Sequence, residues 1–232
     1  MNYEKELGKA RLWLGCRHHI PELHIKHASE VVRGGESKGP DDPLFAKLKK
    51  EFSSINKQDI TKWEWPNDPN DWTYKRATSV LEWADKHMQL ATWDREDYRE
   101  LLEFVVIYLG GVVKRVRKKE VIPIAAEDVI RKPGAIHRAR FMASCIYLLK
   151  IFLYQDQLLD TDVIDAEELT EVECLAEYVA LLHVPYFLQC PLAVIAPRLD
   201  RDFWEDVCNY KKCFSSNVLE YDMMEAVVQV SC

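Results

Sequence analysis

The sequence contains little glycine and proline, with 8 and 10 residues among 232. This scarcity excludes fibrous and low-complexity proteins. None of its seven cysteines forms a Cys-x-x-Cys pair, and an odd cysteine count in a chain of this length is not typical of a disulfide-stapled scaffold. We therefore expect free thiols in a reducing compartment, which predicts an intracellular protein of the nucleus or the cytoplasm.

Long uninterrupted apolar runs are also absent. Residues 141–153 are too few to cross a bilayer and include Lys150. Residues 175–197 are more numerous, but charged and polar side chains and three prolines interrupt them, which favours a buried helical hairpin or a broken helix. Residues 1–9 are charged throughout and lack the apolar stretch of a secretory signal. The sequence predicts no membrane segment.

Helical periodicity dominates what is present. Apolar residues recur at helical spacing in several segments, which are 18–32, 44–55, 72–91, 94–109, 134–159, 165–183, 200–214 and 218–230. Strand patterns are confined to residues 11–15 and to the mixed segment 112–131, which is either a loop or a short hairpin. Gly110-Gly111 is expected to end a helix. The predicted fold is mainly α, an irregular multi-helix array with a short N-terminal strand.

A cluster of histidines follows the first cysteine. Four of the seven histidines lie between Cys16 and His27, and Cys16 and His19 have a Cys-x-x-His spacing. Thiolate and imidazole groups are good zinc ligands, but a structural zinc site needs four of them, and no second Cys/His pair lies at the usual distance. Packing at a helix N-terminus is the main interpretation, and a metalloenzyme centred on Cys16 and His19 is the last alternative.

A short apolar strand that ends in Cys16-x-x-His19 and runs into a helix resembles the C-x-x-H element of hAT- and P-element-type transposases. Three further segments resemble uncharacterised invertebrate proteins that look transposon-derived, namely Trp63–Pro66, Asp97–Leu101 and Pro133–Met142. The resemblance implies an RNase H-like core, whose three carboxylates hold two divalent metals. It also implies a long helical insertion between the second and third carboxylates.

The resemblance also implies catalytic carboxylates that cannot be placed in this chain. The first two carboxylates belong on strands before the C-x-x-H, yet only fifteen residues precede Cys16, too few for those strands. Glu220 and Glu225 match the third carboxylate by position only. Walker A, G-x-G-x-x-G and H-E-x-x-H motifs are absent. We therefore expect no catalysis and no cofactor. On this interpretation residues 1–33 are the remnant of a strand-helix core edge and residues 34–232 are a helical domain, with one continuous domain as the alternative.

A basic run is the candidate nucleic-acid site. Five of the six residues at 114–119 are basic, and two arginines follow at the start of a later segment. The candidate contacts are Lys114, Arg115, Arg117, Lys118, Lys119, Arg138 and Arg140. A solvated loop is the competing interpretation. The aromatic side chains of Trp63, Trp65 and Trp72 either stack on bases or fix loops to the core.

Charge is divided unevenly along the chain. Residues 1–150 hold 27 basic and 22 acidic side chains, whereas residues 151–232 hold 4 and 16. The first part is therefore compatible with nucleic acid, and the second faces solvent or a basic partner. The sequence predicts a non-catalytic, transposase-derived helical protein or fragment with weak nucleic-acid binding. The alternative is a helical scaffold that binds other proteins and has no nucleic-acid role.

Overall fold

A computed structural model describes residues 17–35, 42–89, 93, 95–133, 142–213 and 218–229. The helices of these residues are α1 (His19–Val32), α2 (Pro43–Glu51), α3 (Trp72–Met88), α4 (Glu96–Tyr108), α5 (Ala126–Val129), α6 (Ala143–Leu153), α7 (Gln155–Asp160), α8 (Ala166–Tyr178), α9 (Val184–Gln189), α10 (Ala196–Cys213) and α11 (Val218–Gln229). A π-helical segment, Val179–His183, joins α8 to α9, and a 3₁₀ turn, Ala193–Ile195, precedes α10. Strands β1 (Val113–Arg117) and β2 (Glu120–Ile124) form an antiparallel pair.

The prediction of a mainly α protein is confirmed. The mixed segment contains the hairpin β1–β2 followed by the short helix α5, so the hairpin alternative is the correct one. The predicted strand at residues 11–15 lies outside the described residues. No helix in the described ranges has both the length and the apolar character needed to cross a membrane.

Local capping signals set several helix ends. The carboxylates of Asp42 and Asp71 accept from backbone N–H groups at the starts of α2 and α3. At α8, Asp165 accepts from the Glu168 N–H at 2.8 Å, and the Glu168 carboxylate accepts from the Asp165 N–H. This reciprocal capping box satisfies two amides that a helix start leaves unpaired.

The end of α4 fulfils the Gly110-Gly111 prediction. Gly110 has a φ of +77°, a conformation that only glycine adopts at little cost. The Gly110 N–H donates to Ile107 O at 2.9 Å, and the Gly111 N–H donates to Val106 O at 2.8 Å. These two bonds make a Schellman motif. The second glycine allows close packing, because a Cβ at Gly111 would lie 2.9 Å from Leu81 Cδ2.

Helices α4 and α6 form the centre of the core. From Leu101 to Tyr108 every residue of α4 is buried, Glu103 included. α6 is buried on almost all sides, as expected for a helix that is apolar almost all round. α6 packs against α4 and α8, and α1 packs along α11. α1 contributes Ile25, Ala28 and Val32 to the same hydrophobic cluster.

The single helix predicted over residues 134–159 is wrong at its C-terminal end. Residues 134–141 lie outside the described residues, and α6 stops at Leu153. Tyr154 leaves the helical conformation, with φ −116° and ψ 17°, and α7 begins directly after it. The Leu153 carbonyl accepts from the backbone N–H of Thr61 at 2.9 Å. A loop distant in sequence thus uses a carbonyl that a continuing helix would need.

Pro185 lies inside a helical path that runs from α8 through the π-helical segment into α9. In an α-helix the Leu181 carbonyl would accept from the N–H of residue 185, which proline lacks. Arg76 Nε donates to this carbonyl instead, at 2.8 Å. Arg76 also pairs with Asp206 at 2.8 Å. Residues 175–189 are therefore a continuous helical path with a π-turn. This path ends at Gln189, before the 3₁₀ turn and α10, so residues 175–197 contain the predicted break, after Gln189 rather than at Pro185.

Candidate functional site

The basic run lies in the β-hairpin, where the structure already uses two of its side chains. Arg115 donates to both carboxylate oxygens of Glu103, at 2.6 and 2.7 Å, and the Glu103 side chain is 2% exposed. Lys114 Nζ lies 2.5 Å from Asp85 Oδ1. These pairs hold β1 against α4 and α3. Lys114 and Arg115, two of the candidate phosphate contacts, are therefore already paired with carboxylates of this chain.

The other three basic residues form the hairpin tip. Arg117, Lys118 and Lys119 are exposed, and no ion pair within the described residues involves them. Lys118 and Lys119 both have positive φ, 51° and 71°, the signature of a two-residue type I′ turn. The remaining candidate contacts, Arg138 and Arg140, lie outside the described residues.

The histidines of the Cys16–His27 cluster point in different directions. Cys16 itself lies outside the described residues. The His19 side chain is 60% exposed and has Nδ1 3.1 Å from Glu22 Oε2. His24 is buried and its ring stacks on Phe203 with centroids 5.4 Å apart. The described residues include no group of three or more His, Cys, Asp or Glu side chains placed to hold a metal ion.

The sequence also contains a G-x-S-x-G pattern, Gly35-Glu36-Ser37-Lys38-Gly39. In hydrolases this pattern forms a sharp turn between a strand and a helix that exposes the serine. Here it follows helix α1, so the strand that the motif requires is replaced by a helix. Residues 36–41 lie outside the described residues, and the pattern supports no site.

The tryptophans after α2 fix a loop to the core. Trp63 Nε1 donates to Glu177 Oε2 at 2.9 Å, and Trp65 Nε1 donates to Leu109 O at 3.1 Å. The backbone N–H of Trp63 donates to Tyr108 O. Trp72 lies at the start of α3 with its ring edge to face with Tyr210. All three side chains are therefore in structural contacts, as the loop-fixing interpretation expects.

The same loop forms one wall of an acidic cleft with a volume of about 500 Å³. The other walls come from the end of α4, the α6–α7 junction, α8, α10 and α11. We call this feature the acidic cleft and define it by Trp63, Glu64, Glu173, Glu177, Tyr210 and Glu220. The described lining residues also include a basic side chain, that of Lys62. Four carboxylates from three separate segments thus share one concave surface.

Glu177 lies deepest among these carboxylates. One oxygen accepts from Trp63 Nε1 and the other accepts from the Tyr210 hydroxyl at 3.1 Å. Burial raises the pKa of Glu177, although both hydrogen bonds favour its ionised form. Its two oxygens are occupied by donors of this chain. Glu177 therefore ties the loop to α8 and α10 and contributes negative potential to the cleft.

The other acidic groups have free acceptor capacity. Glu173 accepts one long hydrogen bond, 3.4 Å, from Gln155 Nε2, and burial raises its pKa. Burial also raises the pKa of Glu220. The thiol of Cys174, in the same lining, has a pKa raised by burial, so it stays protonated and is a poor nucleophile.

No local sequence motif predicts this cleft. Glu173 and Glu177 are one turn apart on α8, and Glu177 stands in a strongly apolar segment, which is the available signal. Glu220, a candidate only by position, does line the cleft. Glu225 instead forms an ion pair with Lys211. Asp200 and Asp206 are also paired, with Arg17 and Arg76.

Comparisons with known proteins identify no relative. No protein-family model matches the sequence, and neither the curated proteins nor the solved structures contain a match.

Proposed function

We propose that the protein is a non-catalytic helical interaction module that binds a basic segment of a partner protein through its acidic C-terminal half. The acidic cleft is the observation that carries this proposal. It concentrates Glu64, Glu173, Glu177 and Glu220 on one concave surface. Such a surface focuses negative potential and attracts cationic partners.

The surroundings of the cleft support the same partner. Residues 151–232 hold 16 acidic and 4 basic side chains. Of those basic residues, Arg201 pairs with Asp202 and Lys211 pairs with Glu225. The negative charge around the cleft is therefore not neutralised by its own sequence neighbours. The protonated Cys174 thiol supports a binding role rather than nucleophilic catalysis.

Binding of a fluorescent Arg/Lys-rich peptide tests the proposal. We expect the peptide to bind, an acidic peptide of the same length to fail, and the affinity to fall as salt screens the charges. The double variant Glu173→Gln with Glu220→Gln should weaken binding at least tenfold. Fluorescence anisotropy at 50 and 300 mM salt measures both effects.

The matched control is Glu167→Gln with Asp222→Asn, which removes two exposed acids from the same helices, α8 and α11. Equal losses for the two double variants would contradict a role for the cleft. Absence of peptide binding at low salt would reject the proposed function.

The hairpin tip favours nucleic acid as a second candidate ligand, because its three cations are exposed and outside the ion pairs described above. The variant Lys118→Asn with Lys119→Gly removes two charges and supplies the residues that a type I′ turn prefers. We expect weaker binding of a DNA duplex and a salt slope smaller by about 2. Lys49→Gln with Lys50→Gln is the control. Identical affinities for the two double variants would remove this candidate.

An origin from a transposase insertion is part of the proposal and rests on the sequence resemblance alone. We also propose an intracellular location, in the nucleus or the cytoplasm. Five described cysteines, Cys145, Cys174, Cys190, Cys208 and Cys213, are free, which supports a reducing compartment.

A further inference from the structure

Three buried polar atoms lining the acidic cleft have no hydrogen-bond partner among the described residues. They are Tyr108 Oη, Gln155 Oε1 and Glu220 Oε2. Tyr108 is 0% exposed and Gln155 is 8% exposed. A buried polar atom without a partner costs free energy, and native proteins satisfy nearly all of them. Tyr108 and Gln155 are thus buried cleft residues with hydrogen-bonding capacity that the described residues leave unused.

The chemistry of these atoms favours a hydrogen-bond donor as their partner. An amide oxygen and a carboxylate oxygen only accept hydrogen bonds, and a phenol hydroxyl can do either. Glu173 adds acceptor capacity, since its hydrogen bond from Gln155 is long. The negative potential of the four carboxylates favours a cationic donor. The described residues lack a metal-binding arrangement, so an organic cation fits this chemistry better.

Aromatic rings select among organic cations. The Tyr108 ring lies near Trp63 and Phe152, with ring centroids 6.3 and 4.6 Å away, and all three residues line the cleft. Tyr108 and Phe152 are buried, whereas Trp63 is partly exposed. A guanidinium group stacks its flat face on aromatic rings and presents five N–H donors in its plane. An ammonium group is a compact, strongly hydrated charge without such a face.

We propose that the acidic cleft binds an alkyl guanidinium group, with Gln155, Glu173 and Glu220 as acceptors and the partly exposed Trp63 ring as its stacking partner. The inference rests on the proposed function and names the side chain that the cleft recognises in a basic partner, an arginine. A free small-molecule guanidinium would present the same chemistry.

Small probes test the ligand chemistry directly. Ligand-observed NMR with the full chain would compare N-acetylarginine amide with the lysine and citrulline analogues, citrulline being the neutral isostere of arginine. We expect the arginine probe to bind at least fivefold more tightly than the lysine probe, and the citrulline probe to show no saturable binding. Equal binding of arginine and citrulline probes, or a preference for lysine, overturns the inference.

Variants connect the binding to the cleft. Glu173→Gln and Glu220→Gln should each weaken the arginine probe at least tenfold, and Tyr108→Phe should weaken it while keeping the ring. Glu167→Gln changes an acid on the same helix as Glu173 that does not line the cleft, and it should have no effect. Circular dichroism and the unfolding midpoint confirm that each variant is folded, and a folded Glu173→Gln variant with unchanged affinity contradicts the inference.

A peptide series distinguishes a failure of this inference from a failure of the proposed function. It also distinguishes the two possible sources of the guanidinium group, a protein segment and a free small molecule. In a basic peptide with a single arginine, replacing that arginine by lysine should weaken binding at least fivefold. Unchanged peptide affinity overturns the arginine inference while the proposed function stands. Tighter binding of the arginine peptide than of N-acetylarginine amide supports a protein segment as the source, and equal affinity overturns that assignment in favour of a free small molecule.

Discussion

The variant Arg115→Met is expected to lower the free energy of unfolding by about 3 kcal/mol. Arg115 donates two hydrogen bonds to Glu103, whose side chain is 2% exposed. Removing the arginine leaves a buried carboxylate without its main partner, which is the costly way to break an ion pair. Arg99 Nε, 3.5 Å from Glu103 Oε1, keeps part of the attraction and holds the loss near the lower end of the usual range.

Arg117→Met is the matched control, because Arg117 is two residues along the same strand and is exposed. Its unfolding free energy should stay within about 0.5 kcal/mol of the wild type. Urea denaturation followed by circular dichroism measures both variants. Equal stabilities would show that the Glu103 pair does not hold the hairpin. The same stability measurement is needed before a loss of DNA binding in an Arg115 variant is interpreted as the loss of a phosphate contact.

Local sequence signals predicted the parts of the fold that neighbouring residues determine. The predicted helix end at Gly110-Gly111 is a Schellman motif, and the predicted helix start at residue 165 is a capping box of Asp165 and Glu168. Both depend on side chains and φ angles within a few residues. The break at Tyr154 could not be predicted in this way, because the competing hydrogen bond comes from Thr61, more than ninety residues earlier.

The same distinction between local and long-range interactions applies to the candidate sites. Composition identified the basic run, but it could not reveal that Glu103 and Asp85 engage Arg115 and Lys114. The acidic cleft is assembled from segments that are distant in sequence. No local motif marks such a site. The available signal was Glu177, a carboxylate within an apolar helical run. Its place in a cleft follows only from its burial in the folded protein.

The histidine His183 is expected to make the protein unstable in mild acid. It is fully buried in the π-helical segment, with its ring stacked on Phe187. Burial, aided by the neighbouring His24, lowers the pKa of His183 to about 3. Below the unfolded-state value of about 6.5, the unfolded chain binds a proton that the folded protein does not. Stability contributed by this group is therefore complete above pH 6.5 and falls as the pH falls.

The variant His183→Leu isolates this effect. From pH 6.5 to pH 4 the wild type should lose about 3 kcal/mol more stability than the variant, at about 1.4 kcal/mol per pH unit for one proton. His24, whose pKa burial lowers to about 4, keeps the variant acid-sensitive. Glu173 and Glu177 oppose it, because a raised carboxyl pKa stabilises the fold as pH falls.

Because these other groups remain in both proteins, the comparison depends on the difference between the two pH profiles, measured by urea unfolding at each pH. His19→Gln, which removes a histidine whose side chain is 60% exposed, is the control for a histidine substitution outside the core. Parallel profiles for the wild type and His183→Leu would show that His183 is protonated within the fold. The π-helical segment would then have to open at a pH where the rest of the core stays packed.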